Sequence, residues 1–99
     1  MKRYHLMPAA AQDLLSIIEY IAGDSPEAAG RVLDKIEKEL ARLAEFPGLG
    51  HKREDLTDRP VRFWTIHRYL VVYQPDRDPL EILRILHGSR DVRSELAGL

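Results

Sequence analysis

The chain has 99 residues, of which 44% are hydrophobic and 31% charged, and it contains no cysteine. That length makes one domain, the composition argues against intrinsic disorder, and disulfides or a cysteine-ligated zinc are excluded, which suits a reducing cytoplasm. Fifteen Lys/Arg against sixteen Asp/Glu give a formal net charge of −1, so a purely electrostatic nucleic-acid binder has no support, although Lys52–Arg68 holds five basic and three acidic residues.

The segment before Leu6 has no apolar run long enough for a signal peptide or a membrane span. Residues 2–6 alternate weakly ahead of Pro8 and are expected to form a short strand. From Pro8 to about Ala22, Ala11, Leu14, Leu15, Ile18, Ile21 and Ala22 repeat at helical spacing, and Gly23-Asp24 breaks the pattern. Ser25-Pro26-Glu27 starts a second helix. The Ser hydroxyl accepts from an orphan N–H, Pro26 lacks a donor where none is needed, and Glu27 complements the dipole. This helix runs to about Glu45, with Ala29, Val32, Leu33, Ile36, Leu40 and Leu43 on one face. Glu27/Arg31 and Asp34/Lys38 are expected i, i+4 pairs on the other.

Phe46-Pro47-Gly48 ends the helix, and residues 49–60 read as a polar loop. Segments 61–66, 69–74 and 81–87 are rich in β-branched and aromatic residues, with His67-Arg68 and Pro75–Pro79 as turns between them. Gly88–Asp91 breaks the last strand, and Val92–Leu96 is expected to form a short helix. The order is β-αα-βββ. It predicts an α+β fold in which an N-terminal strand precedes an antiparallel helical hairpin packed on a C-terminal three-stranded antiparallel meander.

No Gly-rich phosphate loop, G-x-S-x-G or H-E-x-x-H occurs, and His5, His51, His67 and His87 lack metal-ligand spacing, so neither metal nor cofactor is expected. The end of the last strand is the most informative stretch. His87 suits proton transfer near neutral pH, and Arg90 carries a planar fork for phosphate, with an Arg84–Asp91 ion pair as the structural alternative. Arg62 beside Phe63 and Trp64 suits phosphate contact with base stacking, but the two aromatics must face opposite sides of a strand, so at least one belongs to the core.

Nearly the whole chain resembles the ParE branch of the ParE/RelE toxin superfamily, known for plasmid stabilisation. The resemblance lies in Pro8-Ala9-Ala10-Ala11-Gln12-Asp13-Leu14, Ile18-Glu19-Tyr20-Ile21-Ala22, Ser25-Pro26-Glu27-Ala28-Ala29 and Phe46-Pro47-Gly48-Leu49-Gly50. It continues in Arg68-Tyr69-Leu70-Val71-Val72-Tyr73 and in Glu81 through Asp91. Met7 departs from the Thr or Ser that often caps the first helix. The resemblance implies a type II toxin, cytoplasmic and growth-arresting, silenced by a ParD-like antitoxin that fills the groove between hairpin and sheet. Such a complex is expected to bury more than about 2,000 Å². It implies DNA gyrase as the target and a protein that is not itself an enzyme, with Arg62, Trp64, Arg84 and Arg90 expected to bind.

The RelE branch instead cuts messenger RNA on the ribosome without metal. Of its basic positions Arg62 matches one and Trp64 occupies the next; a third falls at Leu70, a fourth matches Arg90, and its late tyrosine falls near Leu96. Indole and an aliphatic chain cannot neutralise a pentavalent phosphate, and losing one such stabiliser costs roughly 2.7–4 kcal/mol of barrier. The nuclease alternative would rest on Arg62, His87 and Arg90.

Overall fold

The computed structural model describes residues 3–88 and 91–99. Its elements are β1 (Tyr4–Leu6), α1 (Pro8–Ala22), α2 (Pro26–Glu45), β2 (Arg62–Ile66), β3 (Tyr69–Gln74), β4 (Leu80–His87) and α3 (Val92–Leu96), with a 3-10 turn at Pro47–Leu49. The expected order holds. The meander is antiparallel, and β1 adds to it as a parallel neighbour of β4, giving a four-stranded mixed sheet in the order β1-β4-β3-β2.

Local chemistry accounts for the helix ends. Ser25 accepts from Ala28 N–H at 3.2 Å, the cap expected of Ser-Pro-Glu, whereas Met7 offers no side-chain cap. The inward stripe of α1 keeps Leu14 of the expected one but otherwise shifts by one residue, to Ala10 and Ile17. Ala10 is fully buried and Leu14 and Ile17 pack on the core, while Ala11 is exposed and Leu15 is half-exposed. Apolar doublets at 10–11 and 14–15 make both registers amphipathic, and docking on β4 selects between them. On α2 the ion pair is Lys35–Glu39 at 3.2 Å, with Arg42 nearby, in place of the expected Glu27/Arg31 and Asp34/Lys38 pairs.

Both sheet faces are covered. The helices cover one, burying Ile36, Leu40, Leu43, Val71, Tyr73, Ile82 and Ile85. The loop after Gly50 and α3 cover the other, where Val61, Phe63, Val72, Leu86, Val92 and Leu96 form a second cluster. β3 is therefore apolar on both sides, as its Leu70-Val71-Val72-Tyr73 run requires. Opposite Val72 and Tyr73 the register of β4 jumps from Arg84 to Ile82, leaving Leu83 as the extra residue of a bulge. The bulge turns both Ile82 and Ile85 toward the helices.

β1 ends at Leu6, so β4 has no strand beside it farther along. Asp13 of α1 takes the place of one: its carboxylate accepts from Ile85 N–H at 2.9 Å and from Arg84 Nε and a terminal nitrogen at 2.7 and 2.9 Å. Arg84 also reaches Glu95 of α3 at 3.3 Å, tying together elements from opposite faces around the sheet edge. The expected Arg84–Asp91 pair does not form. Asp91 caps α3 instead, accepting from Ser94 N–H and Oγ–H.

Candidate functional site

The β2–β3 hairpin turns through His67 and Arg68, and two clefts flank its tip. His67 has φ of 54° and sits in the left-handed region, which a two-residue turn demands and which Gly or Asn would fill with less strain. Arg68 forms part of both cleft walls.

The cleft on the helical face, about 580 Å³, lies between α1 and the ends of β3 and β4. Of the two helices of the hairpin, α1 supplies its wall, through Asp13, Ser16, Ile17 and Tyr20. Tyr20, 86% exposed, stands on one side. Tyr69 and His87 stand on the other, their rings edge to face with centroids 5.7 Å apart. The cleft on the opposite face, about 730 Å³, has Leu56, Leu70 and Val92 in its lining, with Arg53, Arg68 and Arg93 around them. Arg53 holds Asp55 with two bonds of 2.8 and 2.9 Å, lowering the Asp55 carboxyl below the usual range, and Arg93 donates to the Asp55 carbonyl.

Three of the residues selected from the sequence have internal work. Arg62 donates to the Gly50 carbonyl at 2.7 Å. Trp64 packs on the helical face, its indole N–H 3.3 Å from Glu39 and the Arg42 guanidinium 5.9 Å from its ring. Burial pushes the Glu39 carboxyl up, but hydrogen bonds from Lys35 and Trp64 outweigh this and leave it below the usual range. Arg84 is held by Asp13 and Glu95, with Asp13 chiefly responsible for raising its pKa. Phe63 lies in the opposite cluster to Trp64, so both aromatics are core. Arg90 lies outside the described residues. Arg62, Trp64, Arg84 and His87 thus share no cleft; His87 meets Tyr69 and Arg68, which sequence reasoning treated as strand and turn. The clue available was the two-residue turn itself, a place where side chains are forced outward.

Gly50 shows how tightly the loop is held to the sheet. The Tyr73 hydroxyl accepts from Gly50 N–H at 2.8 Å and donates to the Pro47 carbonyl at 2.6 Å, and a Cβ at Gly50 would lie 2.5 Å from that oxygen. Burial raises the Tyr73 phenol above its ordinary value, so it stays protonated to make both bonds. Among the described residues no group of three His, Asp or Glu could hold a metal ion, and no helix is long and apolar enough to cross a membrane.

A four-stranded sheet bearing an N-terminal helical hairpin, with clefts flanking the tip of the β2–β3 turn, defines a small α+β fold. Residues 4–92 match the model of the ParE toxin of the type II toxin–antitoxin system parDE, and the chain belongs to that family. Toxin RelE3 of Caulobacter vibrioides is 31% identical over 89 residues, covering 89% of this chain and 96% of that protein. Toxin ParE3 of the same organism is 35% identical over 71 residues, covering 71% and 69%. A solved chain described as the chromosomal ParDE TA system from P. aeruginosa shares the fold, with a TM-score of 0.69, 24% identity and coverage of 88% of this chain and 96% of that one.

Proposed function

We propose that this toxin is a non-enzymatic poison of DNA gyrase, acting in the cytoplasm and silenced by a ParD-like antitoxin. The observation that carries the reading is the state of the positions where resemblance to RelE would put cations. Trp64 is packed against α2, Leu70 is apolar, and Arg62 is bound to a backbone carbonyl. At these described positions no cations converge, and a poison of this kind acts by preferring one state of its target, here the cleaved-DNA complex. Purified chain should inhibit gyrase supercoiling and accumulate cleaved DNA, and added antitoxin should reverse both. Unchanged gyrase activity at toxin excess would overturn the proposal.

One juxtaposition favours a second reading, a RelE-like ribosome-dependent endoribonuclease. His87, Tyr69 and Arg68 meet in one cleft, and a relative matched over 96% of its length bears the name RelE3. In this reading His87 moves the proton of the ribose 2′-OH and Arg68 of the same cleft is the cation available to the phosphate, because Arg62, the residue expected from the sequence, is bound to the Gly50 carbonyl outside that cleft. Primer extension on messages from expressing cells decides: codon-associated cuts support it, and intact messages with unaffected translation remove it.

A further inference from the structure

β2 is an outer strand, and its outward edge is only half paired. Phe63 exchanges both backbone hydrogen bonds with His51, at 2.8 and 2.9 Å, on the side away from β3. Outward-facing positions recur every second residue in an antiparallel strand, so Thr65 N–H and C=O point the same way. The loop has already turned off through Arg53–Leu56, and no group among the described residues meets these two polar atoms.

The cleft beside this edge has an apolar floor of Leu56, Leu70 and Val92. Arg53 and Arg93 are drawn together around Asp55 at one part of its rim, and Arg68 stands at the hairpin tip. Asp91, the carboxylate in the wall, has one oxygen on Ser94 N–H and the other on its hydroxyl. Unpaired strand groups, an apolar floor and flanking arginines are separate features that one kind of occupant satisfies together.

We infer that this edge receives a short extended segment of the antitoxin, an apolar residue flanked two positions away on each side by carboxylates. The inference rests on the toxin–antitoxin reading above and places an antitoxin contact outside the groove between hairpin and sheet. An added strand pairs its backbone with Thr65, and its residues i, i+2 and i+4 share one face. The middle side chain covers the floor, and the outer carboxylates meet guanidiniums in charge-assisted hydrogen bonds. A phosphodiester strand fits less well, because its backbone has no N–H for the Thr65 carbonyl and its phosphates gain nothing from Leu56, Leu70 and Val92.

The test uses the full-length ¹⁵N-labelled chain and a blocked twelve-residue peptide with a central Glu-Thr-Leu-Thr-Glu. Expected are slowed amide exchange at Thr65 and His67 and chemical-shift changes confined to this cleft. Arg68→Glu, Arg93→Glu and the milder Arg68→Gln should each weaken binding, the reversals by on the order of tenfold. Arg31→Glu on the exposed side of α2 is the charge-matched control and should leave binding unchanged. Thr65→Pro removes the outward donor at a position where an edge strand tolerates proline, and should abolish the added strand while the circular dichroism spectrum is retained. Unchanged Thr65 exchange at saturating peptide, equal binding by the arginine variants, or equal competition by a twelve-residue oligothymidylate overturns the inference. Growth assays separate it from the broader reading. If the protein of the neighbouring reading frame rescues cells equally from wild type and from Arg68→Glu/Arg93→Glu, the toxin reading stands and this cleft is not an antitoxin site. If wild type neither arrests growth nor holds that partner, the toxin–antitoxin reading itself fails.

Discussion

Asp13 is the residue whose removal should cost the fold most for its size. Its carboxylate receives three hydrogen bonds, two from Arg84 and one from Ile85 N–H, and the Asp13 and Arg84 side chains are only 15% and 16% exposed. Asp13→Ala leaves a half-buried guanidinium with Glu95 as its remaining carboxylate and strips the substitute partner from the β4 edge. Breaking a fully buried pair costs about 3–5 kcal/mol; with partial exposure and the Glu95 contact retained, about 2–4 kcal/mol is expected. A domain of this size loses roughly 4–8 °C of Tm per kcal/mol, so the drop should be on the order of 8–32 °C. Asp13→Asn keeps an oxygen for Ile85 N–H but loses the charge, and should cost about 1–2 kcal/mol. Urea unfolding of Asp13→Ala, Arg84→Met and the double variant gives the coupling, expected at about 1–3 kcal/mol. A loss below about 0.5 kcal/mol in Asp13→Ala, or additive single effects, would refute the idea that this network closes the sheet edge.

Tyr73→Phe removes the hydroxyl that both accepts from Gly50 and donates to Pro47, leaving two polar groups without it, and should lose about 1–3 kcal/mol in chemical denaturation. Gly50→Ala should destabilise as well, because its Cβ would sit 2.5 Å from that hydroxyl oxygen and 2.7 Å from the Phe63 carbonyl. His67→Gly should raise stability by about 1 kcal/mol, because glycine accepts the φ of 54° without a Cβ penalty; an unchanged or lower Tm would count against strain at the tip. Ser94 holds the Asp91 carboxyl below the usual range through its hydroxyl and its backbone N–H. A depressed folded-state value means the cap contributes fully above the ordinary aspartate range and is lost as pH falls through the depressed value. The Ser94 amide resonance should therefore move at acid pH and stay in place in Asp91→Asn.

How much of this was legible depended on the range of each interaction. Ser25-Pro26-Glu27 announced α2 because a cap and a dipole act within one turn, and the strand segments announced themselves through β-branched and aromatic runs. The place of β1 did not, since three residues pairing in parallel with Leu80–Ile82 leave no local signature. Arg84 was matched in sequence to the near carboxylate, Asp91, whereas the fold supplies one 71 residues away. Arg62 and Trp64 drew attention by residue type. Their partners, Gly50 and Glu39, belong to the loop and to α2, so only the packed chain shows them to be structural.

That contrast bears on which chemistry the toxin uses. Stabilising a phosphorane requires several cations aimed at one point, because the Coulomb gain falls with distance and is largest where water is excluded. On this sheet Arg62 and Arg84 point into internal bonds. Arg53 and Arg93 are engaged by Asp55 at one part of the rim of an apolar floor, and Arg68 stands apart at the hairpin tip. Charge spread around Leu56, Leu70 and Val92 orients and holds an extended partner far better than it lowers a chemical barrier. Among the described residues this surface is suited to holding a partner, in keeping with the proposal that the toxin acts by occupying another protein.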